Sequence, residues 1–434
     1  MDSRPRRSLS GAGRRDLSMV GKSGRGSFIS GDARRHRPDY WLLILSAALL
    51  SIGLVVVYSI SPGLAATTGA SSSYFVSKQL AAVGLGIAAL IGAAYIPIKR
   101  WTSIANPLLI AAAIGSLVVM FTPLDEFHRA HRWIKLGGLS FQIAELIKLA
   151  VLVWVARFLA GQSRKGLLKD LKSSLRPLLI LLAVVGVAMV KLQSDLGSTL
   201  VVAAIILIMV FMAGVPLKNV GLIFGAVAIA AVLAIGTSPY RRDRLISFFH
   251  PVQDCQSVGY QACQALIAVG SGGLVGQGLG HGVQAYGYLP EAANDSIFAI
   301  MAEKFGFIGM SVVIGIYTVL FFRLKRIIDL TQDMFSKLLV VGVLAWISTQ
   351  MIINVGAMLG LLPLKGITLP LVSYGGTSLV FLTIAMGLVL QISRYTSYSS
   401  SRPKIINEKD IYHNIDGRRL RRAYNPVAVS RSRT

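Results

Sequence analysis

Four sets of ionisable residues stand within long apolar stretches of this sequence or at their edges, and chemistry is expected at these positions. The four sets are Asp195, Asp295, the pair Glu145 and Lys148, and the pair Glu303 and Lys304. A charged side chain in a membrane-like environment is costly, so each set is a candidate functional site. Their surroundings in the sequence decide what chemistry each could support.

Asp295 is the candidate for acid–base chemistry. It ends the polar stretch EAAND and directly precedes the apolar run SIFAIMAEKFGFIG, at the predicted outer mouth of a helical bundle. Partial desolvation there would raise the pKa of the carboxyl group toward a range that suits a general base. The alternative is that Asp295 caps the helix that follows it.

The other charged positions also allow a structural and a functional interpretation. Glu145 and Lys148 are three residues apart, so they share one face of a predicted helix and can neutralise each other. They form either a structural ion pair that fixes helix packing or a functional pair. Asp195, in QSDLGST, stands just before a predicted helix, where it either caps that helix or belongs to a functional site.

Several other chemistries are disfavoured. The glycine run GSGGLVGQGLGHG at 270–282 matches neither a phosphate-binding loop nor a dinucleotide fingerprint, and it predicts close backbone approach in a compact turn. His128 and His131 have a spacing that could hold a metal on one helical face, but no cysteine or acidic pair completes a site. No catalytic triad order emerges elsewhere in the chain.

The composition indicates that a membrane is the solvent around these residues. Of the 434 residues, 54% are hydrophobic and only 15% are charged, below the share of about 25% that is typical of soluble domains. Lys and Arg outnumber Asp and Glu by 44 to 19. The basic residues crowd into the first forty positions, the tail after Arg394 and short connections, which is typical of cytoplasmic segments that face anionic lipid and not of nucleic-acid binding.

The pattern of apolar runs predicts an all-α, polytopic integral membrane protein with about ten transmembrane helices. A spanning helix needs roughly 20 mainly apolar residues. Such runs lie near 40–60, 76–98, 105–123, 143–160, 176–193, 197–214, 218–236, 296–322, 338–362 and 371–393. Residues 1–39 are predicted to be a disordered basic cytoplasmic tail, residues 40–393 the transmembrane domain, and residues 394–434 a second basic cytoplasmic tail.

The distribution of basic residues also predicts the orientation of the chain. The positive-inside rule puts both termini in the cytoplasm and leaves the segments 124–142, 237–295 and 363–370 outside. The large loop 237–295 is expected to contain short interfacial helices, because three arginines at 241–244 stand beside the apolar residues of 245–249 in an amphipathic mixture. Cys255 and Cys263 both fall in this loop, where a disulfide could persist, and a bonded pair and two free thiols are both open.

Five segments resemble the hallmarks of the SEDS (shape, elongation, division and sporulation) family of membrane proteins. They are HRWIKLGGLSFQIAELIK at 131–148, QSDLGST at 193–199, the large loop from RRDRLISFFHPVQD to GYQACQALIAVGSGGLVGQGLG, YLPEAANDSIFAIMAEKFGFIG at 288–309, and LPLKGITLPLVSYGGTS at 362–378. They occur in the family's order. Departures from the family pattern are Ile143 and Ala144 before Glu145, Ser194 before Asp195, and Ser296 after Asp295.

The resemblance implies ten transmembrane helices and a peptidoglycan glycosyltransferase that polymerises lipid II at the outer face of the cytoplasmic (inner) membrane. The long basic N-terminal tail is more similar to division-type members, which implies septal cell-wall synthesis. By motif, Asp295 takes the position of the family's catalytic carboxylate, and Lys365 that of the lysine in its PxKG motif. The family's central acidic and basic pair corresponds to Glu145 and Lys148, and the aspartate of its DLG motif to Asp195.

The implied reaction assigns a role to each charged position. Asp295 is the candidate general base, and Arg242, Arg244 and Lys365 are candidates to stabilise the departing diphosphate. The remaining candidates for substrate binding are Glu145, Lys148 and Asp195. No cofactor is certain, although a divalent cation could share that task. The expected partners are a class B penicillin-binding protein, which is a transpeptidase, and other membrane proteins of the division complex. Alternatives from other classes are a lipid II transporter or flippase and a membrane scaffold that recruits a transpeptidase.

Overall fold

A computed structural model describes residues 37–122, 132–136, 139–249, 255–257 and 259–396. Twelve α-helices make up most of this part of the chain. They are α1 Tyr40–Thr68, α2 Ser72–Tyr95, α3 Ile98–Val118, α4 Ile143–Arg164, α5 Arg176–Val187, α6 Leu196–Met212, α7 Leu217–Gly236, α8 Pro239–Phe249, α9 Tyr260–Ser271, α10 Ile297–Leu330, α11 Met334–Met358 and α12 Gly376–Ser393. Short π-helical turns flank α5 at Leu171–Leu175 and Ala188–Leu192, and another lies at Gln284–Tyr288.

All ten apolar runs predicted from the sequence form helices. Eight helices in the described part of the chain are long and apolar enough to cross a membrane, by length and composition. The other two predicted runs correspond to α6, which is apolar but only 17 residues long, and α4, which includes Glu145, Lys148 and two arginines. The all-α, multi-pass membrane fold is therefore confirmed.

The helices form an inner and an outer set. Most of α11 and α12 is buried, and α11 packs against α4, α6 and α10. By contrast, α2 and α7 expose most of their apolar side chains, which is favourable where the surrounding solvent is lipid. Close packing of α12 on α2 requires a small residue, because a Cβ at Gly387 would lie 2.3 Å from the main-chain oxygen of Leu90.

The segments predicted to lie outside have local structure of their own. Segment 124–142 ends in a two-stranded antiparallel hairpin, β1 Trp133–Leu136 and β2 Leu139–Gln142, with Trp133 opposite Gln142. The large loop contains α8 and α9, so the prediction of short helices there is confirmed. The predicted disordered tails, apart from their few residues next to α1 and α12, lie outside the described residues, as do His128 and His131.

Several helix ends differ from the predicted ones. The third helix begins at Ile98 and not near 105, because only Ile96 and Pro97 separate it from α2 and Pro97 occupies its N-cap position. Lys99 and Arg100 therefore lie in its first turn. The last helix begins at Gly376 and not near 371, because residues before it form turns that pack against the loop bearing Asp295.

Candidate active site

Asp295 lies in a turn between the π-helical segment Gln284–Tyr288 and α10. The carboxylate is partly exposed, but its Oδ1 atom is fully covered and has no hydrogen-bond partner. Burial and, after it, the negative charge of Glu291 raise the pKa of Asp295 to about 7, against the opposing effects of Arg244 and the Gln261 side chain. A carboxyl group with that pKa is ionised in a large fraction of molecules near neutral pH and can accept a proton there.

The capping alternative for Asp295 is wrong. The N-cap residue of α10 is Ser296, and the hydroxyl of Ser296 donates to the main-chain oxygen of Pro290 at 2.8 Å. No hydrogen bond from the first turn of α10 reaches the Asp295 carboxylate within the described residues. The carboxylate of Asp295 is therefore not used to begin the helix.

The segment before α12 packs directly on the turn that bears Asp295. Ser373 donates through Oγ to the main-chain oxygen of Asn294 at 2.6 Å, and the Tyr374 amide donates to that of Ala293 at 2.9 Å. Gly366 has a φ of +61°, and a Cβ there would lie 3.5 Å from Oδ2 of Asp295. These contacts bring the segment that contains Lys365 next to the candidate base.

Four cations interact with one another around Lys365 and are named here the basic cluster: Arg132, Arg241, Arg244 and Lys365. Arg244 links the cluster to Asp295. Burial lowers the pKa of the Lys365 ammonium, and the charges of Arg244 and Arg241 lower it further. Burial and the charge of Arg132 similarly lower the pKa of Arg241. None of the four forms an ion pair with a carboxylate in the part of the chain that the structure describes. Such a cluster can receive an anionic group.

Main-chain carbonyl groups hold the arginines of the basic cluster in place. Arg241 donates to the main-chain oxygens of Val190 at 2.8 Å and Ala234 at 3.0 Å. Arg132 donates to those of Gln193 at 2.9 Å and Ser194 at 2.8 Å. Both arginines therefore bind the turn between α5 and α6.

Arg244 and Arg242, which the sequence analysis proposes as partners of the diphosphate, differ in their surroundings. Arg244 stacks over the ring of Tyr240, with its Cζ atom 4.8 Å from the ring centroid, and Nη1 lies 3.5 Å from the main-chain oxygen of Leu364. Arg242 is exposed and lies outside the basic cluster, although its proposed contact with substrate stays a prediction. Sequence reasoning missed Arg132 and Arg241.

Asp195 is the N-cap residue of α6, which confirms the structural alternative for its side chain. The buried carboxylate accepts a hydrogen bond from the amide of Ser198 at 2.9 Å. The start of α6 also lies against the site, because a Cβ at Gly197 would be 2.6 Å from the main-chain oxygen of Lys365. A role of Asp195 in binding substrate stays a prediction.

Glu145 and Lys148 form a buried ion pair near the start of α4. Their Oε1 and Nζ atoms are 2.6 Å apart, and the side chains are 3% and 0% exposed. The ammonium group of Lys148 also lies 5.3 Å from the centroid of the Trp346 ring, which adds a cation–π contact. This geometry supports the structural alternative, while a direct role in substrate binding stays a prediction.

The glycine run at 270–282 packs against the part of α10 that includes Glu303 and Lys304. The carboxylate of Glu303 accepts hydrogen bonds from the amides of Val283 at 2.9 Å and Gln284 at 3.2 Å. A Cβ at Gly276 would lie 2.2 Å from the main-chain oxygen of Lys304. Close backbone approach is therefore confirmed where the glycine run meets α10.

A cavity of about 320 Å³ lies beside the turn that bears Asp295. Its wall includes polar groups of Arg244, Tyr260 and Gln261 and an apolar floor from the end of α11. Gln261 donates through Nε2 to the hydroxyl of Ser296 at 3.1 Å, which ties this wall to the residue after Asp295. A mixed polar and apolar lining of this kind suits a small polar ligand with apolar faces.

The cavity wall is braced by a disulfide bond between Cys255 and Cys263. Of the two alternatives for these cysteines, the bonded pair is therefore the one found. The loop that it closes includes Tyr260 and Gln261. We predict that the disulfide contributes no chemistry of its own.

Residues 40–398 match the family described as cell cycle protein, which groups FtsW, RodA and SpoVE. The chain belongs to this family. It is 39% identical over 371 residues to the probable peptidoglycan glycosyltransferase FtsW of Nitrosomonas europaea, covering 82% of this chain and 93% of that protein. It is 34% identical over 369 residues to the stage V sporulation protein E of Bacillus subtilis, covering 84% and 99%.

Solved structures of family members share the fold. The rod shape determining protein RodA of Thermus thermophilus matches with a TM-score of 0.59 at 25% identity, covering 83% of this chain and 98% of that one. A chain from a structure described as "Structural coordination of polymerization and crosslinking by a peptidoglycan synthase complex" matches with a TM-score of 0.67 at 28% identity, covering 82% and 98%. The family membership predicted from the sequence is therefore confirmed, as is the similarity of this chain to FtsW, a division-type member.

Proposed function

We propose that this chain is a peptidoglycan glycosyltransferase that polymerises lipid II at the outer face of the cytoplasmic membrane during septal wall synthesis. The observation that carries the proposal is the Asp295 carboxylate, with a pKa near neutrality and one oxygen without a partner, beside the basic cluster. Membership of a family whose curated members include probable peptidoglycan glycosyltransferases supports the same activity.

The proposed reaction uses Asp295 as general base. The 4-hydroxyl oxygen of the acceptor sugar attacks C1 of the donor sugar and forms the new glycosidic bond, while its proton passes to the Asp295 carboxylate. The bond from C1 to the diphosphate oxygen breaks, and undecaprenyl pyrophosphate leaves with the bonding electrons. Lys365 and Arg244 stabilise the negative charge that develops on that oxygen, and Arg242 is exposed where it can meet the diphosphate.

We assign the acceptor saccharide to the cavity beside Asp295. Its polar wall offers hydrogen-bond groups to sugar hydroxyls, its apolar floor suits the CH face of a sugar ring, and about 320 Å³ is enough for one N-acetylhexosamine unit. Ala262 lines this cavity, so Ala262→Phe should raise the KM for lipid II by filling it. Ile267→Phe, on an exposed face of the same helix α9, is the matched control.

The residues near Asp295 do not fit a resident divalent cation. The described part of the chain contains no group of three or more His, Cys, Asp or Glu that could hold a metal, and the basic cluster would repel one. We propose that any divalent cation used by the reaction enters with the diphosphate of the substrate. Activity after removal of free cations by a chelator, and its recovery with added Mg²⁺, tests this proposal.

Purified protein with fluorescent lipid II distinguishes the three candidate functions. Glycan polymer supports the glycosyltransferase, movement of the headgroup across a vesicle membrane without polymer supports the transporter or flippase, and neither activity supports the scaffold. Because the proposed partner is a class B penicillin-binding protein, each reaction is run with and without that transpeptidase. The relative from a peptidoglycan synthase complex supports the presence of such a partner.

The proposal also requires that Asp295 faces the outside and that both termini lie in the cytoplasm. Val275, in the glycine run, and Lys169, between α4 and α5, are both exposed and should lie on opposite sides. A membrane-impermeant thiol reagent added to intact spheroplasts should label Val275→Cys and leave Lys169→Cys unlabelled. The reverse pattern would exclude the proposed site of synthesis. Fluorescence microscopy of a tagged chain tests its location at the septum.

A further inference from the structure

Asn354 is a buried polar residue in the otherwise apolar last two turns of α11. Its side chain is 2% exposed, in the sequence stretch MIINVGAM. An amide group in such a place is costly unless it is hydrogen-bonded. The bonds that it makes therefore indicate why a polar residue is present.

The amide nitrogen of Asn354 binds both segments that form the proposed catalytic site. Nδ2 donates to the main-chain oxygen of Asp295 at 2.7 Å and to that of Ile367 at 2.7 Å. Only the NH₂ group can make these bonds, because both partners are carbonyl oxygens, and this fixes the orientation of the amide. The Oδ1 atom is covered and has no hydrogen-bond partner, so the side chain makes its contacts through the two N–H donors.

We infer that Asn354 is a positioning residue that holds the turn bearing Asp295 against the segment bearing Lys365. The general base and the cation that stabilises the departing diphosphate then act on the same donor and acceptor. The inference rests on the proposed glycosyltransferase function. Asn354 bonds to the main chain of Asp295 itself and, two residues after Lys365, to that of Ile367. Its effect on the reaction therefore passes through the placement of both groups.

The geometry of the site makes this placement sensitive. A misplacement of about 1 Å of a reacting group costs about 10²-fold in rate. Ser373 and the Tyr374 amide also bind the turn, but through Asn294 and Ala293 and not through Asp295. Among the described side chains, that of Asn354 thus binds both the main chain of Asp295 and the segment that contains Lys365.

The test compares Asn354→Leu, which keeps the size and removes both donors, with Asn354→Gln, which keeps the donors. The full chain is reconstituted in vesicles with its transpeptidase, and polymerisation is measured over a range of lipid II concentrations. For Asn354→Leu we expect kcat to fall about 10²-fold with KM changed by less than about threefold. Asn354→Gln should recover part of kcat.

Gln350→Leu is the matched control, because Gln350 lies one turn earlier on α11 and is also 2% exposed. Hydrogen exchange provides a second measurement. In Asn354→Leu, the amides of 289–296 and 363–375 should exchange faster together, while those of α4 and α6 stay unchanged. Gln350→Leu should leave both segments as in the wild type.

Separate results decide the inference and the proposed function. Wild-type kcat in a folded Asn354→Leu variant, an equal loss in Gln350→Leu, or unchanged exchange in the two segments would each overturn the inference. A wild-type protein that makes no polymer with its partner would overturn the proposed function. In that event the hydrogen-exchange comparison still decides whether Asn354 holds the two segments together.

Discussion

Asp295→Asn should remove most polymerisation and at the same time stabilise the protein. Asn keeps the size of the side chain but cannot accept the proton of the acceptor hydroxyl. A general base typically contributes about 10²–10⁴-fold in rate, so we expect a loss in that range. Since Asp295 does not cap α10, no capping energy is lost with its carboxylate.

The gain in stability follows from the raised pKa of Asp295. The carboxyl group has an ordinary pKa of 3.8 and a folded-state pKa of about 7. Below pH 3.8 the carboxyl group is protonated in both the folded and the unfolded protein, so it does not lower the stability of the fold. Above pH 7 it is ionised in both, and its ionisation in the folded protein lowers the stability by the full amount. About three pKa units correspond to about 4 kcal/mol, which is an upper bound because the side chain is partly exposed. Asn removes this cost.

The assay pairs polymer formation from lipid II with thermal unfolding in detergent at pH 5 and pH 8. The melting temperature of Asp295→Asn should exceed that of the wild type by more at pH 8 than at pH 5. Wild-type activity itself should rise with pH through about 7, because the base must be deprotonated. Near-normal polymer from a stable Asn variant would remove Asp295 from the mechanism, and a less stable Asn variant at pH 8 would refute the account of its burial.

Three further predictions concern the charges around the site. Glu291→Gln should move the rise of activity to lower pH, because the negative charge of Glu291 raises the pKa of Asp295; an upward shift would contradict this. Arg241→Ala should lower the free energy of unfolding by about 1.5–3 kcal/mol, because two charged hydrogen bonds are lost. The control Arg242→Ala, at an exposed position, should change it by less than about 0.5 kcal/mol. Chemical denaturation measures both values. Reversing Glu145 and Lys148 together should retain more activity than either single reversal. Each single reversal leaves two like charges buried side by side and should lower the free energy of unfolding by at least about 3–5 kcal/mol, the usual loss when one partner of a buried ion pair is removed. Equal loss of activity in all three variants would indicate direct participation.

The fold could be predicted because the membrane imposes a simple rule on the sequence. A spanning helix must satisfy its own backbone hydrogen bonds and present apolar side chains to lipid, so apolar runs of about 20 residues mark it directly. Helix ends were less predictable. The start of α3 was set by Pro97, and the start of α12 by contacts with the distant turn at Ala293.

The site could be predicted only where local sequence carries the information. Asp295 could be identified from its place between a polar loop and an apolar run. Arg241 and Arg242 could not be told apart, because adjacent residues on a helix point about 100° from each other and the sequence does not give the rotation of α8. Asn354 gave no signal, since its two partners are main-chain oxygens at sequence separations of 59 and 13 residues.

Four carboxylates in or beside the helical bundle differ in how their negative charge is satisfied. Glu145 is paired with Lys148, and the carboxylates of Asp195 and Glu303 accept hydrogen bonds from main-chain amides. Each of these three has a partner for at least one carboxylate oxygen, which lowers the cost of its burial, although the second oxygens of Glu145 and Glu303 have none among the described residues. The Oδ1 atom of Asp295 has no hydrogen-bond partner among the described residues, and burial and the charge of Glu291 raise the pKa of this carboxyl group to about 7. A side chain that served packing alone would be more favourable there as a neutral amide, and this difference supports the proposed role of Asp295 as general base.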